Sequence, residues 1–297
     1  MNLKGIFTAL VTPFSGELLD ENGFEKLVEW QICEGVDGIV PCGTTGEAST
    51  LSYEEHERVI ELAVKVARGR IPVIAGTGSN STKETIELTQ VAKDLGVDGA
   101  LLVAPYYNRP SQEGLYRHFK TVAESVDLPM VLYNIPTRTG VNMLPDLVAR
   151  LAAVPNIIGI KEASGSLQQV ADIFRLTKGE FSIISGDDNL FLPMMSVGAT
   201  GVISVVSNVL PARMAALAKA FMTEGNREKA RDIHMELSSI FQTLFIEVNP
   251  VPVKESLYYM GMIEDKAVRL PLSPLADSSR ATLLQVLKQY GLLRRQP

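Results

Sequence analysis

"LPMVLYNIPTRTGVNMLPDLVARLAAVPNIIGIKEASG", residues 128–165, holds the repeating unit from which the fold is read. Two apolar runs, "PMVLYNI" and "NIIGIKEA", flank "LPDLVARLAAV", in which the apolar residues recur at i, i+3, i+4 and i+7, the helical period. Runs of nearly continuous Val, Ile and Leu are strands buried on both faces, as parallel strands between helices are. The second run ends in Lys161, with Glu162 beside it. Burying an unpaired ammonium is costly. A lone lysine at a strand end usually reaches water along its aliphatic stem. The alternative is a half-desolvated amine whose lowered pKa makes it a nucleophile toward carbonyls. The rest of the chain decides between the two.

The same alternation runs from the N-terminus to Ser204. The other apolar runs are "IFTALVT", "GVDGIVPCG", "IPVIAGT", "GALLVAP", "FSIISGD" and "GATGVIS". Amphipathic stretches such as "YEEHERVIELAVKVA" and "TKETIELTQVAKDLG" lie between them. Eight βα units suit a (β/α)8 TIM barrel; an open doubly wound sheet also alternates strand and helix, so the count carries the decision. Past the eighth unit come "NREKARDIHMELSSIFQTLF", "PVKESLYYMGMI" and "SSRATLLQVLKQYGLL", too many helices for the barrel's own ring. We therefore expect an α/β chain with residues 1–225 as the barrel that carries the active site. Residues 226–297 form an appended C-terminal helical segment without strands.

Composition narrows the function classes. A chain of 297 residues, 46% hydrophobic, buries a large core, and its net charge of −6 is the opposite of a basic nucleic-acid footprint. No apolar run reaches the roughly 18 residues of a membrane span. The opening "MNLKGIFTALVTPF" lacks a signal peptide's h-region and cleavage site, and two cysteines, Cys33 and Cys42, suit a reduced compartment. The expected location is the cytoplasm.

In the barrel architecture active sites lie at the C-terminal ends of the strands. Strand 2 ends in "GTTGE", residues 43–47, a turn whose two hydroxyls and several backbone N–H groups could cradle a carboxylate; by itself it reads better as an ordinary βα turn that caps the next helix. Strand 4 ends in "PYYNRP" with Tyr106 and Tyr107, and strand 5 in "YNIPTRTG" with Tyr133 and Arg138. Strand 6 ends in Lys161, strand 7 in "SGDD" with Gly186, and strand 8 in "GVIS" with Ile203. An amine, phenols and a guanidinium at one rim suit imine and enamine chemistry. Period 2 puts Gly159 and Lys161 on one strand face and Val131 and Tyr133 on one face of its neighbour. Three histidines, His56, His118 and His234, are scattered over helical segments and give no metal cluster. No Ser or Cys nucleophile comes with a histidine base, and "GTGSNS" lacks the third glycine of a dinucleotide loop.

Together "GTTGE", "YNIPTRTG" and "GIKEASG" resemble the pyruvate-dependent class I aldolases of the N-acetylneuraminate lyase type. "PYYNRPSQEGLY", Arg138, "SGDD" and "NPVPVK" resemble the branch that uses L-aspartate 4-semialdehyde, and the likeness spans nearly the whole chain. It implies a lyase that condenses pyruvate with that aldehyde to 4-hydroxy-tetrahydrodipicolinate, the first committed step of diaminopimelate and lysine biosynthesis. The alternatives are another pyruvate aldolase, acting on N-acetylneuraminate or a 2-keto-3-deoxy-sugar acid, and a non-catalytic sensor. An intact Lys161, Tyr133 and Thr44 speak against the sensor.

The resemblance further implies that Lys161 forms the Schiff base and that Tyr133 relays protons with Thr44 and Tyr107. Thr45, with Gly186 and backbone near Ile203, takes the pyruvate; Arg138 takes the aldehyde's carboxylate. No cofactor and no metal are implied. Partners would be further copies of the chain in a homotetramer, a dimer of dimers with Tyr107 reaching across. Some members bind L-lysine as an effector, at positions matched here by His56, Asn80, Glu84 and Tyr106. Tyr53 stands in place of a further histidine of that site, and Ala48–Ser49 is a swap of the common order, so sensitivity would be weakened or altered.

Overall fold

Eight parallel strands form one sheet in the computed structural model, which describes residues 3–295. They are β1 (Gly5–Ala9), β2 (Gly38–Val40), β3 (Ile74–Gly76), β4 (Gly99–Val103), β5 (Met130–Asn134), β6 (Ile157–Glu162), β7 (Ser182–Ser185) and β8 (Gly201–Ser204). Seven fall inside runs expected from sequence, and β1 begins one residue before its run "IFTALVT". The hydrogen-bonded order is β2-β1-β8-β7-β6-β5-β4-β3. Neighbours in the chain are neighbours around the sheet, with one seam between β2 and β3. This is the (β/α)8 order; a doubly wound sheet would reverse direction at a switch point. A two-stranded hairpin, Phe14–Ser15 with Leu18–Leu19, was not expected; two residues per strand are too few for a period to show.

The described residues form two compact units, residues 3–5 with 72–203 and residues 6–71 with 204–295. In the first, Leu102, Met130, Leu132, Ile160 and Ile183 are fully buried, as doubly covered strands require. Its helices begin at side-chain caps: Ser81, Ser111 and Ser166 each accept a backbone N–H in the first turn. β5 and β6 pair with Val131 opposite Gly159 and Tyr133 opposite Lys161, after a register irregularity at Met130/Val131. Gly159 has to be small, because a Cβ there would lie 2.8 Å from the Leu3 side chain and 2.8 Å from the Ser182 carbonyl.

In the second unit the helix Tyr53–Ala67 coincides with the stretch read from its 3.6-residue period, and Ser52 and Glu55 close it with a reciprocal capping box. Past residue 226 the described chain is helical, with Arg227–Glu236, Ser238–Thr243, Val251–Tyr259 and Asp277–Gln289 and no strand. One interaction organises this unit. Lys254 Nζ meets Glu47 Oε1 at 2.6 Å with both side chains out of solvent. The other oxygen of Glu47 accepts from the Arg269 backbone N–H at 3.0 Å, and the Lys254 ammonium lies 4.1 Å from the Phe14 ring centre. Glu47 itself sits at φ 54°, in the left-handed region.

Removing one member of a buried ion pair strands the other charge, which typically costs about 3–5 kcal/mol. Lys254→Met should lower unfolding free energy by about that much in urea titrations, and adding Glu47→Gln should restore part of it. A loss below about 1 kcal/mol would show that Glu47 finds another cation or water.

Candidate active site

Lys161 is 6% exposed at the end of β6, and its Nζ lies 4.3 Å from the centre of the Tyr133 ring, itself 6% exposed at the end of β5. The two apolar runs therefore deliver amine and phenol ring to one place, as the period-2 reading expected. Burial pushes the Lys161 amine down to about 8; Asp187 and Asp188 oppose that shift through their charge, and Arg138 adds to it. Burial in turn raises the Asp187 carboxyl, against the pull of Lys161. So the amine is desolvated enough to be neutral in a useful fraction near neutral pH, yet stays within the field of two carboxylates.

Space for the amine's stem comes from Gly186, the residue after β7. A Cβ there would stand 2.6 Å from the Ala163 Cβ and 3.2 Å from Lys161 Cε. Ile203 is fully buried on β8. Arg138 lies on the short helix Pro136–Thr139 and is exposed. Tyr106 is 40% exposed, and Tyr107 is 91% exposed at φ 73°. An aromatic residue in the left-handed region is held there against its own preference. In this chain Tyr107 stands in solvent and is not buried with Lys161.

Behind the Lys161–Tyr133 pair lies a lattice that the sequence reading did not assign. Asn134 and Glu162 follow Tyr133 and Lys161 and oppose each other in register, so they face the other side of the sheet. Asn134 Nδ2 donates to Glu162 Oε2 at 3.0 Å, Gln169 Nε2 donates to the same oxygen at 3.1 Å, and the Ser164 N–H donates to Oε1 at 2.7 Å. Asn142 bonds both Asn134 and Gln169 at 2.8 Å, and Asn134 Oδ1 accepts the Met143 N–H at 3.0 Å. A buried carboxylate with its lone pairs so filled pins the ends of β5 and β6 to each other. The visible signal was two polar residues, one at the end of each apolar strand.

In the other unit "GTTGE" is a series of tight turns: Gly46 N–H donates to the Gly43 carbonyl and Glu47 N–H to that of Thr44, both at 3.1 Å. Thr44 is half-buried and Thr45 is 3% exposed, its Oγ1 accepting from Asn249 Nδ2 at 3.0 Å. Asn249 and Lys254 both belong to "NPVPVK", quoted above only as a motif; their partners lie about two hundred residues away, beyond any local pattern.

The residues matched to an effector site lie in both units. His56 is buried in the helix Tyr53–Ala67, and Tyr53 is 57% exposed. Asn80 precedes the helix Thr82–Asp94, its carbonyl accepting from Asn108 Nδ2 at 2.9 Å. Glu84, in that helix's first turn, accepts from the Ser79 hydroxyl.

Residues 2–290 match the model of the dihydrodipicolinate synthetase family. The chain is 57% identical, over 98% of its length and 99% of the relative's, to 4-hydroxy-tetrahydrodipicolinate synthase of Pelobacter propionicus. Its fold superimposes with a TM-score of 0.97 on the dihydrodipicolinate synthase of Aquifex aeolicus, at 47% identity over 99% of this chain and 100% of that one. It superimposes with a TM-score of 0.95 on the lysine-bound enzyme of Cyanidioschyzon merolae, at 41% identity over 98% and 99%.

The depressed Lys161 sets a measurable pH window. With a small acylating reagent and peptide mapping, modification of Lys161 should reach half its maximal rate near pH 8, while lysines of the unfolded chain climb toward about 10.4. Asp187→Asn removes a charge that holds the proton on, so the midpoint should move lower still. A Lys161 midpoint above pH 10 would mean that the amine is hydrated.

Proposed function

The chain belongs to the dihydrodipicolinate synthetase family, and on that premise we propose that it joins pyruvate to L-aspartate 4-semialdehyde through an imine on Lys161. It is an enzyme, and the product is 4-hydroxy-tetrahydrodipicolinate, which commits carbon to diaminopimelate and lysine. The observation that carries the chemistry is a buried amine lowered to about 8 and stacked on a tyrosine. Relatives that share half or more of its residues bear the synthase name, which favours this reading over the sugar-acid aldolases.

The neutral Nζ attacks C2 of pyruvate, and the carbonyl oxygen leaves as water. The resulting iminium acidifies C3, which gives up a proton to form the enamine. C3 then bonds to the aldehyde carbon of the second substrate, whose oxygen takes up a proton. The substrate's own amine attacks the imine carbon, closes the ring and releases Lys161. Tyr133 carries the protons, a role worth about 10²- to 10⁴-fold in general acid–base catalysis. We assign Thr44 and Tyr107 to the same relay, and Thr45 with backbone near Ile203 to the pyruvate carboxylate. Gly186 leaves the reacting carbon room. Arg138 takes the carboxylate of the aldehyde, where its planar fork grips bidentately.

In this reading residues 1–225 carry the barrel and its site and residues 226–297 the helical segment. The enzyme works in the cytoplasm; among the described residues no helix is long and apolar enough to cross a membrane. It assembles as a homotetramer, a dimer of dimers, in which each Tyr107 serves a neighbouring copy. The exposure of that ring and its positive φ support a residue shaped for a partner. L-Lysine is the proposed effector, held by His56, Asn80, Glu84 and Tyr106.

Incubation with pyruvate and borohydride should add one pyruvate-derived mass, on the peptide containing Lys161. Labelling of another lysine would remove Lys161 from the mechanism. Glu84 is the natural partner for an effector's ammonium, and allosteric couplings run to about 5- to 150-fold. L-Lysine should therefore lower turnover without competing with pyruvate, and Glu84→Thr should abolish the effect. Inhibition competitive with pyruvate, or none at millimolar lysine, would refute the effector site.

A further inference from the structure

Thr45 and Asn249 are 204 residues apart in sequence, and their side chains meet at 3.0 Å out of solvent. The direction of the bond matters. A threonine hydroxyl has one hydrogen to give and two lone pairs to fill. Here the amide Nδ2 of Asn249 gives its hydrogen to Oγ1. The hydroxyl's own hydrogen is then left to point at a third group, and a hydroxyl that accepts one bond becomes a better donor in the next.

The surroundings hold this geometry rigidly. On either side of Thr45 the turn is fixed: Thr12 Oγ1 donates to the Gly46 carbonyl at 2.8 Å, and Glu47 is locked by Lys254. A Cβ on Gly46 would lie 3.1 Å from both the Cys42 nitrogen and the Leu10 carbonyl, so the backbone has no slack. On the other side Asn249 and Lys254 come from the same short segment, with Lys254 N–H bonded to the Pro250 carbonyl at 3.0 Å. "NPVPVK" therefore grips "GTTGE" at two points, once by charge and once by an amide.

We infer that Asn249 is a positioning residue of the reaction: it aims the Thr45 hydroxyl hydrogen at the carboxylate of pyruvate. The inference rests on the reading that Thr45 holds that carboxylate. It assigns the C-terminal helical segment a part in substrate affinity, through a residue that touches no substrate. Its chemistry requires an amide. A carboxylate of the same shape at position 249 would accept the Thr45 hydrogen, turn it away from the substrate and set a negative charge beside the anion.

The test compares Asn249→Asp, Asn249→Ala, Thr45→Val and the double change Thr45→Val/Asn249→Ala in the full chain. The readouts are the pyruvate concentration that half-saturates borohydride trapping, KM for each substrate, and kcat. Asn249→Asp should raise the half-saturating pyruvate about tenfold or more, the scale of a lost hydrogen bond to a charged group. It should leave kcat and KM for the aldehyde largely in place. Asn249→Ala should raise it less, and should add nothing in the Thr45→Val background. Damage to folding would produce another order, because Asp fills the space of Asn and Ala does not. Equal effects of Asp and Ala, a larger effect of Ala, or additivity with Thr45→Val would overturn the inference while leaving Thr45 in its role. No effect of Thr45→Val would overturn both, and trapping at Lys161 would still judge the imine by itself.

Discussion

A lysine stripped of water at the end of an apolar strand is the constraint around which this protein is arranged. Solvation of an ammonium is worth far more than any single contact can return. The first unit returns only part of it: a tyrosine ring 4.3 Å away and two aspartates acting at a distance. What is not returned appears as a weakened hold on the proton. Keeping the amine in that state demands rigid walls, and the carboxylate–amide lattice of Glu162, Asn134, Gln169 and Asn142 supplies them from the far side of the same strands.

The second unit shows the opposite solution to the same problem. Lys254 is buried more completely than Lys161, but it meets the Glu47 carboxylate directly at 2.6 Å. Burial lowers the hold of Lys254 on its proton, and Glu47 raises it again through charge and hydrogen bond. Among the described residues one lysine has no direct counter-ion and is held only in the field of two aspartates, and the other meets its counter-ion at 2.6 Å. Two buried residues of the same type thus differ first in their nearest partner.

Local pattern made most of this legible. Eight apolar runs, the period of helices such as Tyr53–Ala67 and the placement of Lys161 and Tyr133 on facing positions could all be read along the chain, because each depends on residues a few positions apart. The hairpin at Phe14–Ser15 was too short to show a period. Glu162 was seen only as a neighbour of Lys161, since nothing local says that Asn134, Gln169 and Ser164 converge on it. Asn249 and Lys254 were visible as a motif without a purpose, because their partners Thr45 and Glu47 are brought to them only by the closed fold. What the one-dimensional reading lacked was contact between distant segments.

Such distance also has a bearing on how the protein is born. A ribosome makes the chain from the amino end at about 5–20 residues per second, and early segments can begin to fold while later ones are unmade. Thr45 and Glu47 emerge first, and Asn249, Lys254 and the Arg269 backbone that clasp them emerge only some two hundred residues later. Until then Glu47 is a carboxylate without its cation, and its turn has no reason to leave water. A nascent or prematurely terminated chain would carry strands and a lysine but an unformed turn. The clasp ties the shaping of this turn to a segment made about two hundred residues later.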